Sequence, residues 1–333
     1  MEADREKLTD IFARLGDELA SFGETPETKR VITCAAVQNP WFTRGDIMRS
    51  VRAIRTQMLD RRKLEAWLAA YPALPARKPK NVGVIMAGNI PLVGFFDLLC
   101  VLISGHACHY KTSSKDNVLI SYIVSTLRQI WPGTPAYIYI GQPLDAVIAT
   151  GGNNAVRHFR SMYGGLPSVF RGNRASAAVL TGDETHEELR GLGDDIFSYS
   201  GLGCRNVSHL LLPEGYKPEK FLADLNYHTL PNNKYLHNFL QRSAVLRMQG
   251  IPFTDDVFFM LREDDDFPTA ISEITYNYYR TPGEAGGWIA SRCNEIQCVV
   301  SRGEGRVPFG QSQSPALTDY PDGVDTMAFL ASL

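Results

Sequence analysis

The sequence predicts an α/β fold built on a mostly parallel sheet. Short apolar runs begin at Asn81, helical patterns follow them, and the intervening turns carry glycine and asparagine. The 333 residues are 44% hydrophobic and 21% charged, which supports one large core or two associated ones and excludes a disordered chain. An N-terminal helical segment, residues 1–80, precedes the alternation. Leu8, Ile11, Phe12, Leu15 and Leu19 follow amphipathic spacing; Ile47, Val51, Ile54 and Met58 repeat it; Leu64, Trp67 and Leu68 add another face. Pro72, Pro75 and Pro79 mark the connector that ends it.

Val82–Gly105 is apolar over a length that matches a membrane span, roughly 20 residues. The turn Gly88-Asn89-Ile90-Pro91 and the charge of Asp97 argue instead for a buried strand at Val82–Ala87 and a buried helix at Leu92–Ile103. The pattern then predicts a strand at His106–Lys111, a helix at Val118–Ile130, strands at Ala136–Ile140 and Val147–Thr150, a helix at Asn153–Tyr163 and a strand at Ala177–Leu180. Thr185 and Glu188 form a capping box for a helix running toward Tyr199. A second series follows Gly203: a strand at Val207–Leu212, helices at Pro218–Tyr227 and Lys234–Met248, strands at Val257–Leu261 and Gln297–Ser301, and a loop-rich tail from Val307.

Lysine and arginine number 34 against 36 acidic residues, so the formal charge of −2 supplies no field that favours nucleic acid or acidic lipid. Six cysteines are too few for a disulfide scaffold, and the polar opening MEADREKLTD does not read as a secretory leader. The expected compartment is the cytoplasm. His106, Cys108 and His109 make a poor metal site, because in a strand Cys108 faces away from His109 and no second cluster completes the ligand set. No metal is expected.

Five segments carry candidate chemistry. Asn89 follows a buried strand, where its amide can donate to an anionic oxygen; read alone, turn geometry is the stronger reading. Lys111 ends a strand and is followed by Thr112, Ser113, Ser114 and Lys115, a strand end suited to a ribose or phosphate or simply to solvent. Gly151 and Gly152 lie between a strand and a helix, where backbone can approach a phosphate, although the G-x-G-x-x-G fingerprint is absent. Cys204 lies in Ser200-Gly-Leu-Gly-Cys-Arg-Asn206. Arg205 beside it favours the thiolate, a good nucleophile for carbonyl carbon, and the glycines leave room for substrate. The other cysteines sit in or beside apolar runs and read as structural. Val307-Pro-Phe-Gly-Gln-Ser-Gln-Ser314, with Asp319–Thr326 behind it, is a substrate-facing segment or a surface loop.

In this order the segments resemble the aldehyde dehydrogenase superfamily, and within it the acyl-CoA reductase branch that includes the fatty-acid reductase component of bacterial luminescence. The resemblance runs from about Trp41 to Leu330 through VIMAGNIPLVGF, LISGHACHYKTSSKD, ATGGNNAVRHF, YSGLGCRNVS and FGQSQSPALTDYPDGVDTMAFL. It implies an aldehyde-dehydrogenase-like fold. A Rossmann-type NADP(H)-binding domain would occupy residues 81–202 and an α/β catalytic domain residues 203–305. The C-terminal segment, 306–333, would return to the active-site region. It implies Cys204 as nucleophile, Asn89 with the Cys204 N–H as oxyanion hole, and Lys111 on the adenine-side ribose. Ser113 and Ser114 then join the cofactor loop, and Gly151 and Gly152 approach its phosphates. Asp266 is the acid assigned to the nicotinamide ribose.

Three departures from the family pattern matter. Aldehyde-oxidising members carry a glutamate in a Glu-Leu-Gly-Gly pattern where this chain has Phe170-Arg-Gly-Asn173. Without that base for water, acyl transfer and hydride reduction are favoured over oxidation. NAD-preferring relatives place a glutamate where Ser114 stands, so repulsion of a 2′-phosphate is removed and Lys115 is near; NADPH is the expected cofactor. Phe96 replaces a histidine of the acyl-CoA reductase branch. The expected activity is NADPH-dependent reduction of an acyl-CoA or other acyl thioester to an aldehyde, with an acyl-transferring protein as the implied partner. An NADP-dependent aldehyde or semialdehyde dehydrogenase and a catalytically silent binding member are the alternatives. A homo-oligomer is left open, because the chain is shorter than full aldehyde dehydrogenases.

Overall fold

The structure, a computed structural model, describes residues 2–218, 222, 224–225, 232–256 and 258–333. Packing divides the chain into two units, Met1–Asn173 with Pro315–Leu333, and Arg174–Ser314.

The first unit opens with helices α1 (Glu2–Glu18), α2 (Pro26–Gln38), α3 (Arg44–Ala53) and α4 (Arg61–Ala69). Thr25, Thr43 and Asp60 cap the last three by accepting N–H groups that would otherwise lack partners. The alternation follows as β1 (Asn81–Ile85), α5 (Phe95–Ile103), β2 (Ala107–Lys111), α6 (Asn117–Ile130), β3 (Ala136–Ile138), β4 (Ala146–Thr150), α7 (Asn153–Tyr163) and β5 (Ser168–Arg171). The strands form one parallel sheet in the order β3-β2-β1-β4-β5. The order reverses between β1 and β4, the switch point beyond which ligands of such sheets bind.

Every residue of α5 is buried. It packs on β1 and β2 and against α1, so a segment apolar on all sides is a buried core helix. Among the described residues no helix is long and apolar enough to cross a membrane. The helix starts at Phe95 and not at Leu92, because Leu92 adopts φ 59°, outside the helical region. Asp97 within it is matched by Arg171 from β5, whose Nη1 donates to both carboxylate oxygens at 2.6 Å.

The tail is less loop-like than the sequence suggests. After Pro315 it forms a helix at Thr326–Ala331, capped by Asp325, which buries Met327 and Leu330 against α5. Phe96 packs against Trp67 and Tyr320 at ring distances of 6.2 and 6.0 Å, so this position is core.

The second unit contains β6 (Ala175–Val179), α8 (His186–Phe197), β7 (Val207–Pro213), α9 (Asn233–Gln249), β8 (Thr254–Asp256), β9 (Phe259–Glu263), β10 (Glu273–Tyr279), α10 (Pro282–Ser291) and β11 (Ile296–Val300). Its sheet order is β11-β6-β7-β10-β9-β8, parallel except for the β8–β9 pair. The capping box of Thr185 and Glu188 starts α8. The helix expected over Pro218–Tyr227 falls largely outside the described residues, as does Val257 of the strand expected before Leu261. Strands β5 and β10 and helix α10 were not legible: β5 is four residues long, β10 mixes tyrosine with asparagine, and α10 contains Gly286-Gly287.

Candidate functional site

In the first unit, three predicted segments meet at the carboxyl edge of the sheet. Lys111 ends β2 in register with Ile85 of β1, and Ile85 pairs with Ala149 of β4. The loops leaving these three strands carry Asn89, the run Lys111–Lys115, and Gly151-Gly152. Gly88 lies so close to the second loop that an added Cβ would stand 2.6 Å from Ser113 Cβ and Oγ and 3.2 Å from Lys115 Cβ. Only glycine lets the Asn89 turn and the Lys111–Lys115 loop touch there.

The Asn89 turn is clamped on all sides. Asn39 Nδ2 donates to Gly88 O at 3.4 Å, Ser50 Oγ donates to Pro91 O at 2.7 Å, and the Leu92 N–H donates to Asp116 Oδ2 at 2.7 Å. Asn89 itself is exposed at the tip. Ser114 and Lys115 are exposed and Ser113 is half-buried. Gly152 is exposed at the start of α7, an 11-residue helix, and offers no side-chain cap to its first turn. A cation-bearing loop on one side of the switch point and a glycine-lined helix start on the other fit a phosphate-containing dinucleotide.

In the second unit, Cys204 is exposed on the turn between α8 and β7. The approach is unusual: Tyr199, Ser200 and Gly201 have φ of 54°, 55° and 71° in succession. Two non-glycine residues held there cost on the order of 1–3 kcal/mol each, which surrounding bonds must offset. Buried Asn206 supplies them. Its Nδ2 lies 3.1, 3.0 and 2.8 Å from the carbonyls of Asp195, Ile196 and Ser198, while its Oδ1 accepts the Gly203 N–H at 2.7 Å. Ser176 Oγ donates to Cys204 O at 2.9 Å and lies 3.2 Å from Cys298 Sγ. The turn is thus held by backbone atoms and leaves the cysteine side chain at the surface.

Asp195 joins this turn to the loop at Phe309–Ser312. Its carboxylate accepts Gly310 N–H at 2.6 Å and Ser312 N–H at 2.9 Å, while its own carbonyl is one of those bonded by Asn206. Burial pushes its carboxyl up to about 6, against the lowering pull of Ser312 and Gly310. A carboxyl raised in the folded state favours folding when protonated, and that contribution is lost as pH rises through about 6. We therefore expect Asp195→Asn, which cannot ionise, to gain on the wild type as pH rises from about 4.5 to 7. Urea unfolding of both proteins across that range measures the slope.

Asp266 also belongs to the second unit, in the loop after β9. It is exposed, 3.4 Å from Arg292 Nη2, within a group in which Arg292 holds Asp265 at 2.7 Å and lies over Trp288. It follows the carboxyl end of β9, whereas Cys204 precedes the amino end of β7; both strands pair in parallel with β10. Sequence reasoning did not single out Asn39, Asp116, Ser176, Asp195 or Asn206. Asn206 and Asp116 end two of the quoted motifs, but their partners lie in other elements. Among the described residues no group of three or more His, Cys, Asp or Glu side chains is placed to hold a metal.

The two sheet-built units have the aldehyde dehydrogenase fold. An aldehyde dehydrogenase from Physcomitrella patens, solved with succinate, superposes with a TM-score of 0.68 at 13% identity, covering 98% of this chain and 84% of that one. The NAD+ complex of an aldehyde dehydrogenase from Bacillus cereus gives 0.61 at 14% identity, covering 90% and 72%. The chain belongs to the acyl-CoA reductase (LuxC) family, whose profile matches residues 26–226. A long-chain acyl-protein thioester reductase from Photorhabdus laumondii is 22% identical over 206 residues, 54% of this chain and 43% of that protein. The match therefore spans less than half the length of that relative.

Proposed function

We propose that this protein reduces an acyl thioester, an acyl-CoA or an acyl-protein, to the aldehyde through an acyl-enzyme on Cys204. The observation that carries the reading is the exposed thiol on a turn secured through backbone, in a chain of the acyl-CoA reductase family. Cys204 Sγ attacks the thioester carbon, the Asn89 amide donates to the oxyanion, and the acyl group stays on sulfur as the thiol leaves. NADPH, when bound, supplies the hydride that takes this thioester to the aldehyde level. Lys111, Ser113, Ser114, Gly151 and Gly152 are the residues assigned to hold that cofactor; Asp266, at the opposite end of the parallel strands from Cys204, does not suit the nicotinamide ribose. Residues 81–202, 203–305 and 306–333 are read as cofactor-binding, catalytic and returning segments. A cytoplasmic setting and an acyl-transferring partner complete the proposal.

The direction of reaction rests on Phe170-Arg-Gly-Asn173. Arg171 is committed to Asp97, and the Asn173 N–H to Asn153 Oδ1 at 3.0 Å, so the stretch contains no carboxylate to activate water. The test mixes a long-chain acyl-CoA with NADPH and follows loss of the reduced cofactor. Acyl-dependent loss with aldehyde formed supports reductase activity; acid formed from aldehyde and NADP+ without CoA would overturn it in favour of aldehyde oxidation. Cofactor choice has its own prediction. Ser114→Glu places a carboxylate where the 2′-phosphate is expected, and should lower the NADPH-to-NADH ratio of kcat/KM by on the order of tenfold or more.

A further inference from the structure

We propose that Asp116 is a positioning residue for acylation, fixing the Asn89 turn to the Lys111–Lys115 loop. The inference rests on the reading of Asn89 as oxyanion donor. Asp116 lies between the two segments and is 2% exposed. Its backbone N–H donates to Ser113 O at 3.1 Å, within the lysine loop, and its Oδ2 accepts the Leu92 N–H at 2.7 Å, within the asparagine turn. Leu92 is a non-glycine residue at φ 59°, a conformation that persists only where neighbours hold it. Of the bonds that fasten the turn, the one from Asp116 reaches this strained residue. The close approach of Gly88 to Ser113 and Lys115 adds a second contact between the same two segments.

Asp116 has nominal N-cap position for α6, yet its side chain makes no cap bond to that helix. Its second oxygen, Oδ1, is buried with no hydrogen-bond partner. A carboxyl placed only to cap α6 would turn toward the helix; this one turns toward Leu92. Burial pushes its carboxyl up to about 8, so near neutral pH it is largely protonated and accepts through a carbonyl-like oxygen. An asparagine amide reproduces that acceptor, whereas alanine does not.

The experiment follows thiol release in a single turnover of acyl-CoA, which reads acylation of Cys204 alone. Asp116→Ala should slow this step by on the order of tenfold, less than the effect expected for losing an oxyanion donor outright. NADPH affinity and iodoacetamide labelling of Cys204 should not change, and Asp116→Asn should restore the rate. Wild-type acylation in Asp116→Ala, alongside slowed acylation in Asn89→Ala, would overturn the proposal and leave the role of Asn89 intact. Equal loss of acylation, labelling and cofactor affinity in both Asp116 variants would overturn it too, by showing that Asp116 serves only the fold. Wild-type acylation in Asn89→Ala would instead overturn the oxyanion reading on which the proposal rests.

Discussion

Cys204→Ala is expected to abolish acyl-thioester reduction, with turnover down by at least about 10⁴-fold, while NADPH binding is retained. The variant is informative because two side chains hold the turn by its backbone. The Cys204 carbonyl is held by Ser176 Oγ, and the neighbouring Gly203 N–H by Asn206 Oδ1. Alanine keeps both bonds, so lost activity reports lost chemistry and not a collapsed loop. The other cysteines limit the alternatives. Cys100 and Cys108 are fully buried and desolvation pushes both thiols up, which makes them poor nucleophiles. Cys34 and Cys293 are exposed, and they are the controls: alanine at either should leave turnover unchanged. If Cys204→Ala still releases aldehyde, or one of the controls does not, the nucleophile is misassigned.

The parts of this site that the sequence made legible are local ones. A glycine pair between β4 and α7, a polar residue after an apolar strand and a cysteine among glycines each announce themselves within a few residues. So did the capping box at Thr185, because both partners lie in one turn. The bonds that hold those residues were not legible, because they join positions far apart in the chain. Asn39 reaches Gly88, Asp116 reaches Leu92, and Asp195 reaches Gly310 and Ser312; none of these pairings follows from spacing or periodicity. Asp97 shows the same limit. Its charge was enough to argue against a membrane helix, but its function in the fold depends on Arg171, 74 residues later. The aromatic environment of Phe96 likewise needs Tyr320, a tail residue in a stretch read as loop.

That ion pair gives the largest stability effect expected here. Arg171→Met should destabilise the first unit by about 3–5 kcal/mol, because it leaves Asp97 buried without its cation. The burial is what sets the magnitude: the side chains are 3% and 8% exposed, so water does not replace the lost partner. A surface pair of the same length would contribute about 0–1 kcal/mol. The consequence extends beyond the pair, because Arg171 Nη2 also donates to Thr326 Oγ1 at 2.7 Å, which fastens the C-terminal helix to β5. Thermal or urea unfolding of the variant measures the loss, and a double variant separates its causes. Asp97→Leu with Arg171→Met removes both charges and should recover much of the stability, since an apolar pair avoids the desolvation that the ions incur. If the double variant were as unstable as Arg171→Met, the cost would lie in the lost Thr326 contact and in packing rather than in the stranded carboxylate. If Arg171→Met unfolded like the wild type, Asp97 would have to be protonated or hydrated in place.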